Sequence, residues 1–260
     1  MEWLVFPPDL LLILLGGSLI GFLLGLLGGG GSLLAVPMLL HMGGITSPHM
    51  AIGTSTMAVA LNAYLNAFTH ARHGNVVWHP ALIFSAIGGV AASGGASIGL
   101  LTPGPWLMIA FGLLTLSVGG WMWGRKPPTR DEQIKVSDTK TFLAGAGVGG
   151  LAGFFGIGGG FMVVPALLWA TGMDVRKVMG TSLVGVGTLG MGAALTYALA
   201  GEVQWVVAGI LLLSGFFGGR IGHKLGEYLH GKNKALLQKL FAVFIILVGA
   251  WMTISHLMQA

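Results

Sequence analysis

GLLGGGGSLLAVP (residues 25–37) and GFFGIGGGFMVVP (residues 153–165) are two versions of one phrase, set 128 positions apart. Each lies inside an apolar stretch, 10–41 and 142–169, longer than the about 20 residues a straight helix needs to cross the hydrocarbon of a bilayer. The runs GGGGS (28–32) and GIGGG (156–160) interrupt those stretches, so each is expected to fold as two helices joined at glycine. A second phrase follows: AIGTST (51–56) lies over VMGTSL (178–183), now at an offset of 127. At that same offset Gly74 matches Gly201, Trp78 matches Trp205, Gly95 matches Gly222 and Gly99 matches Gly226. The likeness spans most of each half, which is internal duplication.

Six further apolar segments, 48–70, 76–101, 105–123, 178–200, 203–225 and 236–256, each have the length of a single crossing. The strongly polar stretch GRKPPTRDEQIKVSDTK (124–140) reads as a loop joining the halves. The expected organisation is a first transmembrane repeat over 1–124, a cytoplasmic linker over 125–140 and a second transmembrane repeat over 141–260. Composition agrees with a bilayer as solvent. Charged residues make up 8% of the chain, against roughly 25% in an ordinary soluble domain. Hydrophobic residues reach 54%, and the mean hydropathy is +0.85. The 46 glycines suit membrane helices, whose backbones approach closely through small residues. With no cysteine, disulfides, thiolate metal sites and cysteine nucleophiles are excluded. The opening MEWLVFPPDL carries two acids and no base, unlike the n-region of a cleavable signal peptide, so the N-terminus is read as mature.

Thirteen lysines and arginines decide how the halves are expected to sit. If both interrupted stretches cross once, six of these bases fall on the side of the linker and seven on the other, which is no bias. If each folds back as a re-entrant hairpin, all thirteen face the cytoplasm and the two copies take opposite orientations. The expected fold is therefore an all-α integral membrane protein of two inverted-topology repeats, each a broken re-entrant hairpin plus three transmembrane helices. Both termini then lie outside. The same bias explains the net charge of +5 without nucleic acid.

Irregular backbone at membrane depth survives only where protein buries it or where it lines a watery cavity. Broken helices in matching places of two repeats are the best sequence pointer to a transporter's binding site. A half-helix starting after glycine presents bare N–H groups and the positive end of its dipole, which favours an anion. The expected substrate-binding groups are the backbone at Gly30, Gly31, Ser32, Gly158, Gly159 and Gly160, with the hydroxyls of Thr54, Ser55, Thr181 and Ser182. Asn62 and Asn66 join them as neutral amides; with His70 they recur every four residues and share one helix face. Asn and Thr serve equally well as glue between membrane helices. In the second copy Leu189 and Ala193 replace the two amides, so any polar strip is one-sided.

All eight acids fall at termini, loops or expected span ends, leaving no carboxylate at mid-depth for a cation or a proton relay. Moving one charge through 100 mV is worth about 2.3 kcal/mol, so export of a monoanion is expected to run downhill without a partner ion. Uptake requires coupling, for which a histidine is the available group. His70 and His73 have the spacing of a weak metal pair, but no acid or cysteine supports them, and they are read as an interfacial span end with no metal. Arg72 and Arg220 are read as inside-facing anchors. Ser55 lies in GTSTM and lacks the Gly-x-Ser-x-Gly setting of a hydrolase, while GGGGS lacks the Gly-Lys-Ser/Thr ending of a phosphate loop. No enzyme activity and no cofactor are expected. The expected partners are a small anion and membrane lipid; oligomeric state is left open.

The duplicated pattern Gly-x-x-Gly-x-Gly-Gly, each copy followed by a proline and then by IGTS or MGTS, resembles the sulfite exporter family TauE/SafE. The resemblance covers about 10–256 and carries the motif positions onto Gly25, Gly28, Gly30, Gly31, Pro37, Gly53, Thr54 and Ser55. In the second copy it carries them onto Gly153, Gly156, Gly158, Gly159, Pro165, Gly180, Thr181 and Ser182. It implies movement of small sulfur oxyanions, such as sulfite or organosulfonates like sulfoacetate, across a bacterial inner membrane by alternating access. An anion channel and a proton-coupled sulfonate importer are the alternatives. Ile157 stands where the first copy has Gly29, and Gly160 where it has Ser32, so the two loops are not strictly equivalent.

Overall fold

A computed structural model describes residues 10–27, 31–124, 136–229, 242–243 and 246–254. Gly28, Gly29, Gly30 and most of the linker fall outside them. The described residues are helical and contain no strand. In chain order the helices are α1 (Leu10–Leu27), α2 (Ser32–Met42), α3 (Pro48–Arg72), α4 (Trp78–Leu101), α5 (Gly104–Gly124), α6 (Asp138–Phe155), α7 (Gly160–Thr171), α8 (Val175–Leu199) and α9 (Trp205–Leu229). Residues 246–254 are helical as well.

Local chemistry sets the boundaries. Pro48 starts α3 behind Ser47, whose hydroxyl accepts the Met50 N–H at 3.4 Å. α6 starts at Asp138, inside the stretch read as linker, because Ser137 accepts from Lys140 N–H and Asp138 places a negative charge in the first turn. Asp174 caps α8 by accepting from Arg176 N–H at 3.2 Å. The α3–α4 and α8–α9 turns are built alike: Asn75 N–H donates to His70 C=O at 3.0 Å, and Glu202 N–H donates to Tyr197 C=O at 2.9 Å.

Trp78–Leu101, Arg176–Leu199 and Trp205–Leu225 are long and apolar enough to cross a membrane. Large apolar side chains cover the outside, with Val90 77% and Leu199 92% exposed, whereas Thr54, Ser55, Thr181 and Ser182 are buried. A water-soluble domain does not expose so much contiguous apolar surface. The chain is a multi-pass membrane protein.

Without a hydrophobic drive between helices in lipid, close backbone packing does the work of association. α1 lies on α9 and α6 lies on α4. A methyl group added to Gly21 or Gly25 would strike the Gly215 or Gly219 backbone. Added to Gly149 or Gly153, it would strike Gly88 or Ala92. These contacts repeat at the sequence offsets of 128 and 127, so each half's first helix packs on the other half. At the centre α3 and α8 run antiparallel: Gly53 meets Glu202, Ala60 meets Gly190, Tyr64 meets Gly187, and Gly180 meets Asn75. Gly112 of α5 faces Gly249 and Thr253.

Candidate functional site

The break between α6 and α7 is fully described. Gly156 ends α6 in the left-handed region (φ 60°), and Gly158 and Gly159 follow at φ 60° and 70°, conformations that side-chain-bearing residues rarely adopt. Residues 155–163 are buried throughout. The break lies against the crossing of α3 and α8. A methyl on Gly158 would sit 3.6 Å from Gly190 Cα and 3.7 Å from both the Val186 carbonyl and a Val59 methyl. Val59 and Val186 are each near the middle of a 25-residue helix, so the break lies halfway along the bundle. The Thr56 hydroxyl of α3 donates to the Gly156 carbonyl, and Ile52 covers the same glycine.

α7 begins at Gly160 with no side-chain cap. Met162 and Val163 N–H both bond to Gly159 C=O at 2.9 Å, and the Gly160 and Phe161 N–H groups stand ahead of them at the positive tip of the helix dipole. In the first half, Gly31 and Ser32 open α2 and are buried; a methyl on Gly31 would strike Ile20 C=O. Gly30 lies outside the described residues. α2 and α7 touch, which brings the two interrupted segments together in the interior.

The GTS threonines bond to the opposite half and not to the described break at Gly156–Gly159. Thr54 Oγ1 accepts from Gln204 N–H at 2.9 Å, and Thr181 Oγ1 accepts from Val77 N–H at 3.0 Å. Both bonds, and both glycine contacts on Glu202 and Asn75, are the same device at an offset of 127. Each glycine admits a loop carbonyl of the other half, and the threonine beside it accepts the N–H of the residue just before the helix that loop begins. Ser55 and Ser182 donate back to Ile52 C=O at 3.1 Å and Met179 C=O at 2.8 Å. Because α3 and α8 are antiparallel, Thr54 and Thr181 sit near opposite ends of the pair, roughly 25 Å apart along α3 at 1.5 Å per residue.

Asn62 and Asn66 face α9. Asn62 Nδ2 donates to Leu211 C=O at 3.4 Å and Asn66 Nδ2 to Asn62 C=O at 2.9 Å, while methyls on Gly215 and Gly219 would touch the two amides. His70 continues this line and packs edge-on against His223, ring centroids 4.6 Å apart. Sequence spacing put the two amides and His70 on one face, but nothing local to α3 pointed to His223. At the other end of the molecule His49 Nε2 lies 3.1 Å from Thr102 C=O, beside the fully buried Tyr197. Among the described residues no cluster of three or more His, Asp or Glu has the geometry to hold a metal.

The family model described as sulfite exporter TauE/SafE matches residues 13–252. A probable membrane transporter protein of Xylella fastidiosa (strain Temecula1) is 44% identical over 239 residues, covering 90% of this chain and 91% of that one. The probable membrane transporter proteins YunE of Bacillus subtilis and YfcA of Escherichia coli are 24% and 25% identical, covering 92% and 96% of this chain and 95% and 90% of their own. No solved structure matches. With duplicated motifs, membrane-spanning helices and a family match over nearly its whole length, the chain belongs to the sulfite exporter TauE/SafE family.

Proposed function

We propose that this protein is a secondary transporter that exports small sulfur oxyanions, sulfite or organosulfonates such as sulfoacetate, across a bacterial inner membrane by alternating access. The observation that carries the reading is the buried glycine break Gly156–Gly159 at the middle of the crossed helices α3 and α8. Backbone freed at that depth needs a polar partner, and the start of α7 offers an anion N–H groups and a favourable dipole. The anion is held between the two breaks, by the backbone at Gly30, Gly31 and Ser32 on one side and at Gly158, Gly159 and Gly160 on the other. Thr54 and Thr181 act one step away, fixing α3 and α8 to the opposite half.

The two halves are inverted copies, and they exchange roles as the site turns from one face to the other. Support comes from the antiparallel course of α3 and α8 and from the bases. Arg72, Arg176, Lys177, Arg220 and Lys224 all belong to the end of the bundle where Gly180 meets Asn75 and His70 meets His223. That end is the cytoplasmic one, which puts both termini outside.

Counterflow tests the proposal. Proteoliposomes loaded with unlabelled sulfonate should take up labelled sulfonate transiently, and the rate should saturate. Non-saturating flux with large unitary currents would mark a channel, and no flux of sulfite or of any sulfonate would remove the substrate class.

A further inference from the structure

The two halves pack through matched interfaces, α3 on α9 and α8 on α4, and one of the two is polar. In the α8–α4 interface Leu189 covers Gly88, and Ala193 occupies the next turn toward Tyr197. At the corresponding places of the α3–α9 interface, Asn62 covers Gly215, Asn66 covers Gly219, and His70 meets His223. Asn62, Asn66 and His70 are 3%, 9% and 6% exposed, so the line runs from mid-bundle to the basic end without facing lipid or bulk water.

Asn62 Oδ1 is buried and has no hydrogen-bond partner. The Leu211 carbonyl, which only accepts, fixes which end of that amide is nitrogen. An unsatisfied acceptor calls for a donor, either water or a proton-bearing group, and offers nothing to an anion. The line ends on two imidazoles, the side chains that gain and lose a proton near neutral pH. At this separation two imidazolium charges would repel each other.

We propose that the α3–α9 seam is a proton site and its access route, with His70 and His223 sharing one proton that moves with the anion. The proton enters as a bond to a ring nitrogen, giving one imidazolium, and leaves to water when the site faces the other side. A positive charge beside the anion's path favours anion binding, so proton and anion travel in the same direction. Net export then occurs when the inner anion level exceeds what the pH gradient holds. This inference rests on the transport reading and replaces the uncoupled scheme suggested by the lack of a membrane carboxylate. The other charged and titratable groups around the pair are Arg72 and His73 on α3 and Arg220 and Lys224 on α9; among its described residues α1 carries none, and Arg176 and Lys177 of α8 are exposed. Arg72 and Arg220 lie over Phe68 and Phe216 at 4.4 and 4.3 Å, and His73 Nδ1 donates to Thr69 C=O at 2.8 Å.

The test uses proteoliposomes with the potential clamped at zero and a strong-acid sulfonate whose charge does not change with pH. An acid exterior should drive sulfonate accumulation by about tenfold per pH unit for one-to-one linkage. His70→Gln and His223→Gln should abolish the pH dependence of accumulation, read against each variant's own counterflow. The double substitution Asn62→Leu with Asn66→Ala copies the apolar α8–α4 interface; it should purify as folded protein and also lose accumulation. Counterflow without any pH-driven accumulation in the wild type, or accumulation that survives all of these substitutions, would overturn the proton site and leave transport standing. Absence of counterflow in the wild type would overturn both.

Discussion

The side-chain oxygen of Thr54 accepts the backbone N–H of Gln204 across 150 positions of sequence, at 2.9 Å. Thr181 does the same for Val77 at the far end of the α3–α8 pair. The GTS phrase is thus a clasp between the halves, used twice.

Replacing either threonine by valine should cost about 1 kcal/mol, the usual net worth of one intramolecular hydrogen bond. Being far apart, the two losses should add. Thermal unfolding in detergent measures this; serine at either position should restore most of the stability, and a valine with no effect would show that the bond is dispensable.

Glycine packing predicts a sharp contrast within one helix. Gly149→Ala and Gly153→Ala push a methyl into the α4 backbone and should reduce the yield of monodisperse protein severely. Gly147→Ala and Gly150→Ala have nothing within 4 Å of the new methyl and should be tolerated or stabilise by about 0.5–1 kcal/mol. Size-exclusion profiles of the four variants separate the two classes.

The break itself divides in the same way. Gly156→Ala drives a methyl into Ile52 and should prevent assembly. Gly158→Ala has room but keeps a positive φ, a strain on the order of 1–2 kcal/mol. It should fold and transport more slowly, as counterflow will show; unchanged transport would argue against a role for Gly158 at the site.

Topology is open to a direct check. A phosphatase fused after Ala260 should be active, because the C-terminus is expected outside the cytoplasm. A cytoplasmic C-terminus would remove the inverted arrangement.

Much of this architecture was legible from period and composition. The glycine run GIGGG gave the position of the second break because nothing else interrupts that apolar stretch, and α6 ends at Phe155 and α7 starts at Gly160 accordingly; Gly28, Gly29 and Gly30 of the first run lie outside the described residues. The offsets of 127 and 128 predicted which residues would play equivalent parts, and the glycine contacts follow them pair by pair. The partners themselves were hidden. A threonine that bonds a loop 150 residues away and one that binds an anion carry the same sequence signal, so nothing in the sequence tells that the Thr54 and Thr181 oxygens accept from loops of the opposite half. Asn62, Asn66 and His70 showed their common face through four-residue spacing. That face met α9, and His223 with it, only through tertiary packing, which local periodicity does not encode. The start of α6 was missed for a smaller reason: Ser137 and Asp138 sit in a polar stretch, where a cap looks like any other loop residue.

Since α1 rests on α9 and α6 rests on α4, neither half owns the surface on which its own hairpin lies. A gene fragment ending in the linker would make a chain whose first helix finds no floor until a second chain, with its long helix running the other way, supplies one. Expressed separately, the halves should be degraded; expressed together, they should rebuild the bundle. On the inverted arrangement proposed above, a one-repeat ancestor would have had to insert in both directions and work as a pair.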